Sequence, residues 1–329
     1  MSVPSSRLFL GLIPWYGVLI VLGAGLAILL AERESKRLAF PPDTIVDLAL
    51  RILPIGILGA RIYYVVFSWP SFRSDPLSVL YLWEGGLAIY GGLIAGFMTV
   101  VIFAHRRKLS LLGLLDVLVP GVALAQAIGR WGNYFNQEAY GVPLPDSSPF
   151  SFFPLAVQIQ ENGVLVWHAA AFFLESCWDF LIFCFLMIGR RKLFRKRGDV
   201  FLFYLLLYAA GRLVIENLRM DSLYLGSEVR ISQLFSVLLE ACVILIFLRR
   251  RRKAAGSLSV PLMLLCCAAG ILAAALLISC FPSLLFSFPS ISCRMVFLSG
   301  SSGFLTVTAF LLYGGSAPSE VLYAHHKDP

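Results

Sequence analysis

The sequence predicts an all-α polytopic membrane protein, and three observations support that fold class. Of the 329 residues, 59% are hydrophobic and only 14% are charged, whereas soluble domains contain about 25% charged residues. Several apolar runs reach the roughly 20 residues that cross a bilayer as one helix. Lys and Arg cluster in short segments between those runs, as in cytoplasmic loops. That clustering argues against a nucleic-acid partner, despite the net charge of +8.

Nine apolar runs are predicted to span the membrane. Seven lie in residues 1–253, the predicted seven-helix core, and two lie in a C-terminal extension, residues 254–329. Their approximate bounds are 12–31, 44–68, 86–104, 112–130, 167–188, 199–217, 231–248, 258–281 and 295–314. We expect the first run to be retained rather than cleaved, because only Arg7 precedes it and Trp15 and Tyr16 lie early within it.

The basic segments predict the orientation of the chain. Segments 32–37, 105–108, 190–197 and 249–253 contain 17 of the 27 Lys and Arg residues. By the positive-inside rule they face the cytoplasm, so the N-terminus lies outside and an odd number of spans leaves the C-terminus inside. Polar groups, whose burial in a membrane costs free energy, then all lie at the outer ends of spans one, three, four and six. This convergence predicts a functional site on the outer face.

The longest loop, residues 142–166, is not basic and is predicted to form a small extracytoplasmic cap. Within it, Asn162-Gly163 separates two strand-like runs, which favours a β-hairpin with a tight turn. The glycines of GGLAIYGGLIAG (85–96) are small enough to let helix backbones approach closely, and packing explains most of them.

The stretch GRWGNYFNQEAYG (129–141) contains one arginine, two asparagines, a glutamine and a glutamate between mostly apolar flanks. Arg130 carries a planar, permanently charged fork of donors that suits a phosphate group. A lone arginine at this depth could simply extend to the interface, but Asn133, Asn136 and Glu138 accompany it. At the outer interface, the obvious phosphate belongs to a phospholipid.

Three charged residues of the sixth span lie on one helical face. Arg212 and Glu216 are four residues apart, and Arg219 follows three residues later. They could form a structural ion pair at a helix end, or Glu216 could hold Arg212 against the same anion that Arg130 binds.

Span five contains a second pair of carboxylates. Glu175 and Asp179 are four residues apart, and intramembrane carboxylates are functional suspects. Our preferred expectation is nevertheless that they pair with Arg61 or Arg51.

Metal chemistry is not predicted. The seven cysteines lie mostly in apolar runs without CxxC or Cys/His spacing, so we interpret them as small core residues. We expect no metal and no soluble cofactor.

Several motifs together resemble those of a known family. GRWGNYFNQEAYG is similar to GRxGNFxNxExxG, the signature of the prolipoprotein diacylglyceryl transferases, with Tyr134 in place of a phenylalanine. Further matching stretches, in the family's order, are PWYG (14–17), GARIYYVVF (59–67), GGLAIYGGLIAG (85–96), WHAAAFFLESCWDF (167–180) and YAAGRLVIENLRMDS (208–222). The resemblance covers roughly residues 10–250 and implies seven spans with the N-terminus outside.

The resemblance implies a reaction and a set of partners. Such enzymes transfer the sn-1,2-diacylglyceryl group of phosphatidylglycerol to the lipobox cysteine of a preprolipoprotein, which forms a thioether and releases glycerol phosphate. The implied location is the bacterial plasma membrane, with the active site facing the outer leaflet. We expect a monomer. A transporter or flippase for an anionic lipid, or a non-catalytic lipid-binding scaffold, is the alternative.

The resemblance also assigns roles to residues. The expected catalytic residues are Arg130, Arg212, Glu138, Glu216 and Tyr90. The expected substrate-binding residues are Arg130, Asn133, Asn136, Tyr16, Gly141, Arg61 and Arg219.

Tyr90 departs from the family, which often has a histidine there that is proposed as a base. A tyrosine with an ordinary pKa near 10 is a poor base. Glu138, Glu216 or a bound water could accept the proton, or the substrate thiol could ionise in the field of the arginines, which we favour. His168 falls one residue away from the family's HPT position, and we assign it no catalytic role.

Overall fold

The computed structural model describes residues 7–194, 196–220, 224–225 and 229–254. These residues confirm the predicted fold class: the chain is a mostly helical, polytopic membrane protein. The α-helices are α1 Trp15–Arg37, α2 Thr44–Phe67, α3 Trp69–Phe72, α4 Ile89–Arg106, α5 Leu111–Asn136, α6 Ala171–Lys192, α7 Asp199–Ile215 and α8 Ile231–Ala254. Short 3-10 helices cover Pro76–Leu80, Leu82–Glu84 and Glu216–Leu218.

Each of the first seven predicted spans coincides with one long helix. Within the described part of the chain, five of these helices, α1, α4, α5, α6 and α8, are long and apolar enough to cross a membrane. The two remaining predicted spans, 258–281 and 295–314, lie outside the described residues. The number of spans and the orientation of the termini remain predictions.

The described residues form two compact units. Among the described residues, the large unit contains those from 7 to 26 and from 122 to 254, and the small unit contains residues 27–121. Helices α1 and α5 each contribute to both units, whereas α2, α3 and α4 belong to the small unit and α6, α7 and α8 to the large unit.

In the small unit, α2 and α4 pack closely because glycines meet at their crossing. A methyl group on Gly91 would lie 2.3 Å from the carbonyl oxygen of Gly59, and one on Gly59 would lie 2.8 Å from that of Gly91. Such contact is possible only without side chains, as in other tightly packed membrane helices. The predicted packing role is thereby confirmed for Gly91.

Arg61 secures the loop that precedes α4. Its guanidinium is buried and donates hydrogen bonds to main-chain carbonyls at 2.7–3.3 Å, those of Ser78, Val79, Tyr81, Gly85 and Gly86. Since a guanidinium has five N–H donors, these carbonyls can satisfy it completely.

The large unit contains the predicted hairpin. Strand β4, Ala156–Glu161, pairs antiparallel with β5, Val164–Ala169, and β3, Pro143–Leu144, pairs with the other edge of β5. Asn162 and Gly163 both have positive φ, at 50° and 86°, as a two-residue type I′ turn requires. The hairpin is confirmed, and its extracytoplasmic location remains a prediction. Two further two-stranded pairings join β1 (Leu8–Phe9) to β2 (Ile13–Pro14) and β6 (Tyr224–Leu225) to β7 (Val229–Arg230).

The sheet packs on an apolar cluster that includes the start of α6. Val157, Ile159 and Phe172 are buried there, and Trp131 and Tyr134 of α5 pack against them. This contact fixes the end of α5, which carries the signature stretch.

Hydrogen bonds between side chains and neighbouring helices hold α5, α6 and α7 together. Ser176 Oγ donates to the carbonyl of Ala127 at 2.8 Å, and Trp178 Nε1 donates to the carbonyl of Leu207 at 2.9 Å. The indole lies over Gly211, where a methyl group would be 2.0 Å from Nε1. Polar side chains of this kind join helices in the absence of a hydrophobic driving force.

The glycine crossing makes a testable prediction. Gly91→Ala should lower the free energy of unfolding by about 1–3 kcal/mol, because the added methyl overlaps the Gly59 carbonyl. Thermal unfolding of the purified protein in detergent measures the effect. Gly25→Ala is the matched control, since nothing lies within 4 Å of its added methyl. Equal melting temperatures for the two variants would contradict the close contact between the backbones at Gly91 and Gly59.

Candidate active site

Three arginines of the large unit surround one carboxylate, that of Glu175. Arg130 Nη1 lies 2.8 Å from Glu175 Oε2, and Arg219 Nη1 lies 3.5 Å from Oε1. Arg212 Nη1 donates a hydrogen bond to the same Oε1. Glu175 is 5% exposed, so its charge is partly removed from water and depends on these partners. We call these four residues the three-arginine cluster.

Helix ends bring the cluster together. Arg130 lies near the C-terminal end of α5, Glu175 lies near the N-terminal end of α6, and Arg212 lies in the last turn of α7. Arg219 follows immediately after the Glu216–Leu218 turn. The position of Arg212 in the last turn of α7 complements the helix dipole, which favours cations at C-termini.

Glu216 orients Arg212, as the sequence predicts. Its Oε2 lies 2.7 Å from Arg212 Nη2, and it is 2% exposed. Arg230 donates a hydrogen bond to the main-chain carbonyl of Glu216. The short turn that carries Glu216 is therefore held from two sides, and Arg212 is fixed between two carboxylates.

The expected partners of Glu175 are wrong. The structure pairs Glu175 with Arg130, Arg212 and Arg219, rather than with Arg61 or Arg51. Arg61 donates to loop carbonyls, and Arg51 Nη1 lies 3.7 Å from Asp47 Oδ2. Sequence spacing placed Glu175 inside a span but could not identify which arginine approaches from another helix.

Asp179 is a buried carboxylate beside the cluster. It is 3% exposed, and in the described part of the chain its Oδ2 has no hydrogen-bond or ion-pair partner. It lines a cavity of about 10 Å³ together with Arg130, Glu175 and Arg212. A cavity of that size holds roughly one water molecule.

A second polar group lies at the end of α5. Glu138 Oε1 accepts hydrogen bonds from Asn133 Nδ2 at 3.1 Å and from Asn136 Nδ2 at 3.2 Å. We call these residues the two-asparagine group. The asparagines remain partly exposed and Glu138 is exposed, so their remaining donors and acceptors can reach a ligand.

The turn after α5 explains how Glu138 returns to the asparagines. The Glu138 N–H donates to the Asn133 carbonyl at 3.0 Å, and the Gln137 N–H donates to the Tyr134 carbonyl at 3.2 Å. This is a Schellman motif with Gln137 in the left-handed region at φ 55°. Ala139 also has a positive φ, 56°, and non-glycine residues in this region often occur at functional sites.

Gly141 has a packing role. Its N–H donates to the Ala169 carbonyl at 2.7 Å, and it forms an isolated antiparallel bridge with Arg219. A methyl group on Gly141 would lie 2.8 Å from the Leu218 carbonyl. The end of the signature stretch therefore runs between two backbones and helps to place Arg219.

Tyr16 packs on α5 at Gly132. A methyl group on Gly132 would lie 2.4 Å from Tyr16 Cδ2, so the tyrosine ring rests directly on the backbone of α5. Gly132 lies between Arg130 and Asn133 in the sequence. Tyr16 is 39% exposed, which leaves part of the ring available to a ligand.

Two predicted site residues, Arg61 and Tyr90, lie in the small unit. Tyr90 is 43% exposed, one residue after the start of α4. Arg61 is buried against the carbonyls described above. Their assignment to the substrate site remains a prediction.

His168 is structural in its contacts. It is fully buried, with Nδ1 2.9 Å from the Gly141 carbonyl oxygen and Nε2 3.2 Å from Glu161 Oε1. These contacts join β5 to the signature stretch and to Glu161 of β4, and the absence of a catalytic role for His168 remains a prediction.

The family model for prolipoprotein diacylglyceryl transferase matches residues 8–249 of this chain. The chain belongs to the prolipoprotein diacylglyceryl transferase family. The matched range contains the three-arginine cluster, the two-asparagine group and the hairpin.

Individual relatives agree with the family match. The chain is 41% identical over 254 residues to a phosphatidylglycerol–prolipoprotein diacylglyceryl transferase of Halalkalibacterium halodurans, which covers 75% of this chain and 87% of the relative. Proteins of the same name match from Streptococcus agalactiae, 43% over 228 residues with coverages of 69% and 87%, and from Limosilactobacillus reuteri, 43% over 244 residues with coverages of 71% and 86%.

The cluster predicts a stability effect. Glu175→Gln should lower the free energy of unfolding by on the order of 3 kcal/mol, because three guanidiniums lose the buried charge they share. Thermal unfolding in detergent measures this change. Asp146→Asn, at an exposed position in the loop between β3 and β4, is the control and should change stability by less than about 1 kcal/mol. If the Glu175→Gln protein were as stable as the wild type, Glu175 would not be the counter-ion that the three arginines share.

Proposed function

We propose that this protein transfers the sn-1,2-diacylglyceryl group of phosphatidylglycerol to the lipobox cysteine thiol of a preprolipoprotein. The observation that carries the proposal is the three-arginine cluster, in a chain that belongs to the prolipoprotein diacylglyceryl transferase family. The names of the relatives support this function over the alternatives of a lipid transporter and a lipid-binding scaffold.

The cluster suits the phosphodiester of phosphatidylglycerol. Arg130, Arg212 and Arg219 share Glu175, and Arg212 also contacts Glu216. A phosphodiester has oxygens that accept charge-assisted hydrogen bonds from guanidinium N–H groups, and the planar fork of an arginine suits their geometry. Arg130 and Arg212 are 22% and 19% exposed, so both can reach a ligand while Glu175 holds them in place.

The same arginines would stabilise the leaving group. In the reaction the thiol sulfur bonds to the glyceryl carbon that bears the phosphate, and the bond between that carbon and the phosphate oxygen breaks. The electron pair leaves with glycerol phosphate, whose phosphate gains a second negative charge. Donors fixed around developing charge lower the barrier, because they bind the transition state more strongly than the substrate.

Asp179 is the acceptor that we propose for the thiol proton. Of the carboxylates considered from the sequence, Glu216 contacts Arg212 and Glu138 accepts two amide hydrogen bonds. Asp179 has an oxygen without a hydrogen-bond partner among the described residues, and it lines the cavity beside Arg130, which has space for one relaying water. This assignment adds a residue that the sequence had placed in a structural ion pair.

The two-asparagine group would bind the glycerol hydroxyls of the lipid headgroup. Amide and carboxylate groups supply both donors and acceptors, as hydroxyls require. We assign Tyr16 to the lipid and Gly141 to the placement of Arg219. Tyr90, with its exposed ring, would position the substrate, and Arg61 would stabilise the loop before α4.

We place the reaction at the outer leaflet of the bacterial plasma membrane. The charge pattern supports this orientation, because the basic segment 190–197 lies between the C-terminal end of α6 and the N-terminal end of α7, whereas Glu175 and Arg212 lie near the other ends of those helices. The partners would be phosphatidylglycerol and lipobox-bearing preprolipoproteins, with the enzyme acting as a monomer.

The arginine geometry can be tested by a conservative change. Arg130→Lys keeps the charge and loses the planar fork, so kcat/KM for diacylglyceryl transfer should fall by about 100-fold. The assay incubates purified protein with phosphatidylglycerol and a lipobox peptide and measures the peptide mass. Arg33→Lys, at an exposed position in the basic segment 32–37, is the control. No diacylglyceryl adduct with the wild type would overturn the proposed function.

The proton acceptor can be tested by the pH dependence of the same assay. Asp179→Asn should lower the rate at pH 7, and the remaining rate should rise about tenfold per pH unit towards the ordinary thiol pKa near 8.5. The reason is that only the spontaneously formed thiolate can then attack. Asp179→Glu should restore part of the rate at pH 7. A pH profile identical to that of the wild type would exclude Asp179 as the acceptor.

A further inference from the structure

The small unit contains an apolar groove with a basic end. The groove has a volume of about 370 Å³ and follows the seam between α2 and α4. Apolar side chains line its length, including Ile55, Met98 and Ile102, and three arginines line one end, Arg51, Arg106 and Arg107. None of these residues belongs to the three-arginine cluster or the two-asparagine group.

Helix periodicity produces this division into an apolar and a basic part. On α4 the lining residues recur three or four positions apart, from Ala95 to Arg106, so they share one face. Eleven residues at 1.5 Å each extend about 16 Å. That length matches one leaflet of a hydrocarbon core about 30 Å thick, so the groove can accept one acyl chain along its full length.

The basic end has an excess of positive charge. Arg51 and Arg107 both contact Asp47 and both lie over the ring of Phe103, at 5.4 and 5.6 Å from its centroid. Among the described residues, Arg106 has neither a hydrogen-bond nor an ion-pair partner. Three guanidiniums therefore face one carboxylate, which leaves two uncompensated positive charges.

The guanidiniums of Arg51 and Arg107 are held in orientations that suit a bound ligand. Their side chains are 50% and 43% exposed, yet Phe103 and Asp47 fix their planes beside the apolar groove. Planar, oriented guanidiniums bind phosphate through two parallel hydrogen bonds. An acyl chain beside them would cover Ile55, Met98 and Ile102, which are 42–49% exposed.

We propose that this groove is a binding site for an anionic phospholipid, with its phosphate on Arg51, Arg106 and Arg107 and one acyl chain along Met98 and Ile55. By the positive-inside rule this lipid belongs to the cytoplasmic leaflet. Tyr90 lies at the other end of α4, about 24 Å of helix away from Arg106, so the bound lipid is not the substrate of the proposed reaction. The proposal does not depend on the transferase function.

The test measures binding of single lipids to the full-length protein in detergent by native mass spectrometry. The probes are dioleoyl phosphatidic acid and dioleoyl phosphatidylcholine, which share acyl chains and differ in charge. The wild type should bind phosphatidic acid at least about tenfold more tightly, since each nearby Lys or Arg contributes about 1 kcal/mol to anionic-lipid attraction.

Two variants locate the binding to the groove. The triple change Arg51→Gln, Arg106→Gln and Arg107→Gln should remove the preference for phosphatidic acid. Met98→Trp keeps all charges but fills the acyl part of the groove, and it should also weaken binding about tenfold. The control triple change Arg33→Gln, Arg191→Gln and Arg249→Gln removes the same charge at exposed positions. It should stay within about twofold of the wild type, because none of these three arginines lines the groove.

Three outcomes would overturn the proposal. Equal binding of the two lipids by the wild type would mean that the arginines select no anion. Equal losses in the groove triple and the control triple would mean nonspecific charge attraction. Unchanged binding in Met98→Trp would mean that the acyl chain lies elsewhere, or that a different part of the protein covers the groove.

Discussion

The carboxylate of Glu175 is the interaction on which the large unit's site depends. Arg130 and Arg212 approach it from two helices, and Arg219 approaches from the turn after α7. Without a shared anion, guanidiniums this close would repel one another strongly, because charges in partly dry surroundings interact at a reduced effective dielectric constant. One buried glutamate therefore converts mutual repulsion into a fixed array of donors.

That array constrains the rest of the large unit. The end of α5 must reach the start of α6, which explains why Trp131 and Tyr134 pack on the hairpin core and why Ser176 bonds to the Ala127 carbonyl. The chain after α7 must return beside Gly141, which requires a residue without a side chain there. The hairpin is therefore part of the support of the site.

Much of this arrangement could be predicted from the sequence. Hydropathy located seven helices, the Asn-Gly pair located the hairpin, and helical spacing joined Arg212 to Glu216. Each of these signals is local, because it depends on residues close together in the chain. The partner of Glu175 is not local. From the sequence we expected Arg61 or Arg51, and only the packing of α5 and α7 beside α6 brings Arg130 and Arg212 to this carboxylate instead.

The contacts of Arg61 and Asp179 could likewise not be predicted from residues close to them in the chain. Arg61 lies in a predicted membrane span and could have faced a lipid phosphate, yet its donors find main-chain carbonyls of a loop that carries no sequence signal for such a role. From the sequence Asp179 was expected in an ion pair, but among the described residues its Oδ2 has no hydrogen-bond partner, and the residue lines a cavity beside Arg130. Backbone acceptors and cavities arise from the folded chain, so residue types alone do not reveal them.

The position of the lipid phosphate relative to the arginines around Glu175 can be measured directly. Protein labelled with ¹³C at the arginine Cζ can be combined with phosphatidylglycerol in bilayers. Solid-state ³¹P–¹³C dipolar dephasing then reports contact between guanidiniums and the phosphate, and single substitutions identify the arginines involved. We predict strong dephasing that is reduced in both Arg130→Lys and Arg212→Lys and is unchanged in Arg33→Lys. Dephasing that is equal in all three variants would contradict a phosphate bound by the cluster around Glu175.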